Sequence, residues 1–490
     1  MTAFDALMAH DRQTRALAQV AGRLSWDQET MMAAGSAEQR AEEQGAMEAV
    51  LHARRTDPQV GEWLAAAAPE DAVQSAKLRH IRRDFERNRK VPADLATALA
   101  RLTSRSQGIW AEARSRDDVA HFLPVLEEVV ALKREEAQAV AGTDQTPYDA
   151  LLDDFEPGIA ASELKTIFDD MRPGLVDLRA RALDAEPVKG VSGLFAEDAQ
   201  MAFANELAAR FGYDFQRGRL DKAVHPFSSG SGNDVRITTR TATDDPFNCI
   251  YSTIHETGHA CYEQGIDPAY GLTPLGSGVS MGVHESQSRI YENQLGRSAA
   301  FCGWLFDQMS ERFGDMGVAN AGEFYAAVNR VHRGYIRTEA DEVQYNLHIM
   351  LRFDLEQALM KGDLTVLDLE AAWNDRFEAD FGYKVDKASN GVLQDVHWSV
   401  GLFGYFPTYS LGNVYAGCLY EALRADVTGL NETLATGDPS PATAWLRDKL
   451  QVHGGLNTPR ETISQACGKA PGAGPLMAYL EEKFGALYPG

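Results

Sequence analysis

From residue 1 to about 215, apolar residues recur every three and four positions in stretches rich in Ala, Leu, Glu and Arg. That is the period of helices with one face turned to a core. Just after Pro124 the pattern puts Leu126, Val129, Val130, Ala137, Val140 and Ala141 on one face and Glu127, Glu128, Arg134 and Glu135 off it. It stops at Gly142, with Asp144 and Pro147 beyond. Residues 24–32 mix Trp26, Asp27, Glu29 and two methionines; a helix N-cap by Ser25 or Asp27 accounts for them, and no function is assigned.

The helical period breaks at residues 225–240. Gly and Ser make a turn there, and Val235, Ile237 and Thr239 then alternate with polar residues, which predicts a small hairpin whose edge suits the addition of a peptide strand. Over 247–260, Ile250, Tyr251 and Ile254 recur at the spacing of a buried helix face. Four glycines and Pro274 mark 271–282 as a loop, and a second helix is expected from about Val283 to Gln294. Helical periodicity then runs to the end of the chain, interrupted at Gly391, at 401–407 and at 468–475. No segment repeats.

Length alone suggests about three domains, yet no Pro/Gly/Ser-rich linker or charge block divides the 490 residues. One helical body over 1–490 is therefore expected, with residues 1–215 as its helical first part and 216–490 carrying the chemistry. A net charge of -24 without a basic cluster disfavours nucleic acid and anionic membrane as partners. Cys249, Cys261, Cys302, Cys418 and Cys467 are odd in number and include no CxxC pair, which fits free, buried thiols in a reducing compartment. The first residues lack a basic segment followed by an apolar one, and no apolar run is long enough to span a bilayer; a cytoplasmic protein is expected.

The chemistry centres on His255-Glu256-Thr257-Gly258-His259. On a helix the two histidines share a face, so both imidazoles can hold one cation with Glu256 beside them. Gly258 inside such a helix is tolerable only where the helix packs tightly. A catalytic zinc needs three protein ligands and an open position. Glu285, 26 residues beyond His259, is the best-placed third ligand, with Glu292, Glu263 and His284 weaker candidates. An ion pair with Arg289, at i+4, competes for Glu285. Glu256 is free to act as the general base, and the oxyanion needs a further donor. His397, Tyr405 and Tyr409, set among glycines and aromatics, suit a cleft wall. Arg337 either pairs with a neighbouring acid such as Asp341 or holds a substrate carboxylate in bidentate fashion.

Together these stretches resemble the carboxypeptidase Taq family of zinc metallocarboxypeptidases, peptidase family M32. The matching segments are His225-Pro226-Phe227, Asp234-Val235-Arg236-Ile237-Thr238, the HExxH motif, His284-Glu285-Ser286-Gln287, Ile336-Arg337-Thr338-Glu339-Ala340-Asp341, and Gly391 with Gln394-Asp395-Val396-His397-Trp398, in that order over nearly the whole chain; Ser25-Trp26-Asp27 is similar too. The resemblance implies a mostly α fold, shared with neurolysin-like and angiotensin-converting-enzyme-like peptidases, with a deep groove of which residues 1–215 form one wall. It implies a homodimer that removes single residues from peptides with a free C-terminus, with broad specificity and poor action at proline. By the same resemblance His255, His259 and Glu285 hold Zn2+ or Co2+, Glu256 is the base, Arg337 takes the substrate carboxylate, and Tyr409 with His397 contacts the reacting carbonyl. Tyr405 and Arg333 are the alternatives for these outer roles. The competing activities are an oligoendopeptidase or dipeptidyl carboxypeptidase on the same fold, and a non-catalytic zinc-stabilised binding protein. The intact Glu256 argues against the last.

Overall fold

A computed structural model describes residues 2–489. Among them are twenty α-helices and one three-stranded sheet. The first helix, Ala3–Thr30, is opened by a reciprocal cap between Thr2 and Asp5. Ser25 and Asp27 therefore lie in its last turns and cap nothing: the Ser25 hydroxyl donates to the Ala21 carbonyl, and Asp27 accepts from Arg40. Trp26 is buried, with the Arg236 guanidinium 4.4 Å from its ring centre.

The helix expected after Pro124 starts five residues earlier, at Val119, and runs to Val140. Asp118 caps it through the His121 amide, and the proline is absorbed inside the second turn. Of its predicted face Leu126, Val129, Val130, Ala137 and Val140 are buried, whereas Ala141 falls just past the helix end and is half-buried.

Leu7, Val60, Leu64, Leu78, Ile81 and Phe85 form a small core of their own among the first helices. A far larger core runs from Leu102 to Tyr488. The helix Glu342–Lys361 belongs to it and is buried on every side from Val343 to Phe353, with Leu347, Ile349, Leu351 and Phe353 fully enclosed beside Arg352 and Glu356. Buried Gln344, Asn346, His348, Arg352 and Glu356 interrupt its apolar faces, so its apolar period is faint in the sequence.

The predicted hairpin is formed by β2 (Ser228–Ser231) and β3 (Asp234–Thr239), which are antiparallel, with Ser231 opposite Asp234. A strand the pattern did not announce, β1 (Leu220–Lys222), lies parallel on the other side of β3; three residues are too few to show alternation. Val235 and Ile237 are buried against Ala260 of the next helix, so the sheet backs the HExxH segment. Among the described residues no helix is long and apolar enough to cross a membrane, and the five cysteines are unpaired, four of them buried.

Candidate metal and peptide site

His255, Glu256 and His259 lie on the helix Pro246–Gly265, which starts at Pro246 and is capped by Asp245 through the Phe247 amide. Ile250, Tyr251 and Ile254 are buried and fix its rotation. The 271–282 loop returns the chain so that the helix Met281–Arg289, capped by Ser280, packs against it. Gly258 makes the approach possible: a Cβ there would stand 2.7 Å from the Ser288 Cα. On the other side of the second helix, a Cβ at Gly412 would stand 2.5 Å from the Glu285 Cγ. The helix that carries Glu285 is thus packed between two glycines.

The consequence is convergence. Glu285 Oε2 lies 3.4 Å from His259 Nε2 and 3.7 Å from His255 Nε2, and one ligand atom from each of the three residues falls within 4.8 Å of the others. The remaining atoms of these side chains are engaged elsewhere. His255 Nδ1 is 2.9 Å from Glu292 Oε2, His259 Nδ1 is 2.7 Å from His284 Nδ1, and Glu285 Oε1 accepts from Arg289 Nε at 2.7 Å. The ion pair with Arg289 and the ligand role of Glu285 were alternatives in the sequence; the carboxylate's two oxygens accommodate both.

Charge favours a cation here. Burial raises the Glu285 pKa, but Arg289, His255 and His259 outweigh it and hold the carboxyl well below its usual range. Burial alone disfavours a charged His255, yet Glu285 and the Glu292 bond win and its pKa is raised, so the pocket prefers positive charge at its centre. Burial pushes His259 down to about 3, leaving a neutral imidazole. Two neutral-capable imidazoles and one carboxylate, each oriented by a second bond, fit a divalent ion of the zinc class. Glu256 accepts no hydrogen bond among the described residues, and burial, with Glu285 and Glu292 adding, raises its pKa to about 7.

The other wall is aromatic and cationic. Arg337, buried on a turn at Arg337–Glu339, does not pair with Asp341 as its spacing allowed. Asp341 instead caps the central helix through the Val343 and Gln344 amides, while Arg337 donates from Nε to Asp395 at 3.1 Å. Arg352 donates to the other oxygen of Asp395, at 2.7 Å from its Nε. One carboxylate thus serves two guanidiniums. Tyr409 lies on the helix Pro407–Asp426, one turn before Gly412 and hence on the face that meets Glu285. Its ring centre is 5.1 Å from the Arg337 guanidinium and 5.2 Å from the Tyr405 ring. His397 packs 5.6 Å from Tyr405 and 6.4 Å from Tyr409, and its Nδ1 is buried without a hydrogen-bond partner among the described residues. Burial lowers its pKa to about 4, so the ring is neutral. Arg333 is exposed and lies over Tyr383, apart from this group.

The family's sequence profile, described as Carboxypeptidase Taq (M32) metallopeptidase, matches residues 6–484. The chain belongs to the M32 carboxypeptidase Taq family. It is 41% identical over 505 aligned positions to Thermostable carboxypeptidase 1 of Thermus thermophilus, covering 99% of each. The M32 carboxypeptidase from Deinococcus radiodurans R1 superposes with a TM-score of 0.96 at 38% identity, over 100% of both chains. Trypanosoma cruzi metallocarboxypeptidase 1 gives 0.96 at 32% identity, over 98% of this chain and 99% of that one. The M32 member described here is accordingly a metallocarboxypeptidase that releases C-terminal residues, with a His-His-Glu metal site.

Several neighbours of the site carried no signal in the sequence. Tyr345 stands between the Arg289 guanidinium, 4.3 Å from its ring, and Arg337, whose Nη1 donates to its hydroxyl at 3.3 Å. Arg352 and Glu356 lie on the same largely buried helix. Their charge did not set them apart, because Gln344, Asn346, His348, Asp354 and Gln357 make the same segment polar throughout.

Proposed function

We propose that the enzyme uses zinc, with cobalt as a competent substitute, to remove single residues from peptides that end in a free carboxylate. The observation that carries this is the convergence of His255 Nε2, His259 Nε2 and Glu285 Oε2 while every other donor or acceptor on those side chains is already spoken for. A bound zinc supplies a Lewis acid that lowers the pKa of a water molecule to about 7 and polarises a carbonyl.

The chain's own residues do the rest. Glu256, unbonded and beside the ligands, takes the proton of the attacking water and delivers it to the leaving amine, both within reach of its carboxylate. Tyr409, its phenol kept protonated by burial, donates to the carbonyl oxygen as that oxygen gains charge, and the neutral His397 supports it from the same wall. Tyr405 packs beside both.

Arg337 takes the substrate's terminal carboxylate. Asp395 neutralises only one of the two guanidiniums it joins, so the buried Arg337–Asp395–Arg352 group keeps one positive charge for an incoming anion. Residues 1–215 line one wall of the peptide groove. We further propose a homodimer, on family likeness, and a cytoplasmic setting, for which the free buried thiols are the support.

The test is a peptide with a blocked N-terminus, offered with a free and with an amidated C-terminus to zinc-loaded enzyme. Single amino acids should be released from the first and at most a trace from the second. Interior cleavage of the amidated peptide would show an endopeptidase instead.

A further inference from the structure

The two histidine ligands are held in different ways. His255 passes its Nδ1 directly to a carboxylate, Glu292. His259 reaches one only through a second histidine: its Nδ1 is 2.7 Å from His284 Nδ1, and His284 Nε2 is 3.0 Å from Glu263 Oε1. The path leaves the HExxH helix at His259, crosses to the helix that carries Glu285, and returns to the HExxH helix one turn beyond its start. It therefore ties together the two helices that supply all three ligands.

Only one proton arrangement satisfies this geometry if Nε2 of His259 is to face a cation, a condition that rests on the metal site above. Nε2 must then be free of hydrogen, so a neutral His259 carries its proton on Nδ1 and donates it. His284 Nδ1 must accept, so a neutral His284 carries its proton on Nε2 and donates it to Glu263. Glu263 Oε1 is fixed in turn by the Gly278 amide at 2.8 Å. The His284 ring is hemmed in by its neighbours. It lies 4.8 Å from the His259 ring and 5.1 Å from the Tyr262 ring, and a Cβ on Gly278 would stand 2.6 Å from its Cδ2.

We infer that His284 and Glu263 are positioning residues: a hydrogen-bonded relay that fixes the tautomer and orientation of His259 and thereby sets how tightly the enzyme holds its metal. Both were candidates for ligation on spacing alone; the fold puts them one step behind the ligand. In a buried setting a line of donors ending in a carboxylate makes the outermost imidazole nitrogen a better base, and loss of such a partner typically weakens metal binding 10- to 100-fold.

The relay is tested by zinc affinity, measured by chelator competition on metal-free protein, together with the melting temperature of the metal-free form. His284→Ala and Glu263→Ala should weaken zinc about 10- to 100-fold. Glu263→Gln should recover most of the loss, because its amide oxygen still accepts from His284 and Gly278, and Glu263 Oε2 has no partner for the amide nitrogen to displace. Affinity within about threefold of the parent in a well-folded His284→Ala protein would overturn the relay. Because that variant can also fail to fold, the parent supplies a second measurement. Nitrogen-15 histidine spectra of the zinc-loaded parent should show His284 protonated on Nε2, and protonation on Nδ1 would overturn the relay equally. A parent that binds no zinc would overturn the metal assignment itself, a result distinguishable from either.

Discussion

The Cα of Gly258 faces the backbone of Gln287 so closely that a Cβ would lie 2.5 Å from the Gln287 carbonyl oxygen. A helix that needs glycine at its centre gives up about 1 kcal/mol of intrinsic helix stability relative to alanine, and here the loss is offset by bringing Glu285 within reach of His255 and His259. Gly258→Ala should therefore destabilise the protein by about 1–3 kcal/mol, the usual cost of forcing a methyl group into a packed interior, despite alanine's better helix propensity. Zinc affinity should fall with it, because the strain is relieved by moving the Glu285 helix outward. Denaturant unfolding and chelator competition on one preparation check both. An alanine variant as stable as the parent would mean that the two helices are less tightly joined than these distances require.

Glu256→Gln should keep zinc and lose at least 10²–10⁴-fold in kcat/KM, the range typical of removing a general base. Glutamine preserves the shape of the side chain but cannot take a proton. Glu285→Ala should do the opposite in order of cause: the metal goes first and activity with it. Metal content per chain, measured beside turnover, separates the two, and a fully active Glu256→Gln enzyme would rule out the proton path proposed above.

The metal site was legible and the aromatic and cationic wall around Arg337 was only half so, for one physical reason. His255, Glu256 and His259 are joined by helix geometry, which the sequence carries in its spacing, and Glu285 follows after a loop short enough to bound its position. Arg337 was visible as a residue, but its partner was not: spacing pointed to Asp341 at i+4, whereas the fold supplies Asp395, 58 residues on, and gives Asp341 a capping role. The same limit explains Ser25 and Asp27. Their residue types suit a helix start, yet the start belongs to Thr2 and Asp5, and the apolar pattern of a long first helix simply runs through them. Contacts between distant segments, and helices buried on every side, leave no period to read.

Arg337→Ala should remove the preference for a free C-terminus. The charge-assisted bonds it would make are each worth about 1.5–3 kcal/mol, so kcat/KM for a free-acid peptide should fall about 10- to 100-fold or more while the slight activity on the amidated peptide stays as it was. Arg337→Lys should recover little, since an ammonium cannot span both carboxylate oxygens while keeping the bond to Asp395. If both peptides lost activity in proportion, Arg337 would be acting on the fold of the wall and not on the substrate.

Glu356 should make stability depend on pH in a direction opposite to that of most acidic residues. It is fully buried and receives three hydrogen bonds, from the Tyr148 hydroxyl, Trp398 Nε1 and the Gly404 amide. Burial raises its pKa from 4.5 to about 7, more than those bonds lower it. Between these values the folded chain holds a proton that the unfolded chain has lost, so stability falls as pH rises through the interval, by about 1.4 kcal/mol per pH unit, and is level on either side. The whole effect is about 3 kcal/mol. Glu356→Gln abolishes the titration, and whatever its amide costs at Trp398 is the same at every pH. The difference in unfolding free energy between variant and parent should therefore move in the variant's favour by about 3 kcal/mol from pH 4.5 to pH 7.5. A difference that does not change with pH would mean that the three donors keep the carboxylate ionised throughout, and that the loop bearing His397 and Tyr405 is anchored on a permanent buried charge.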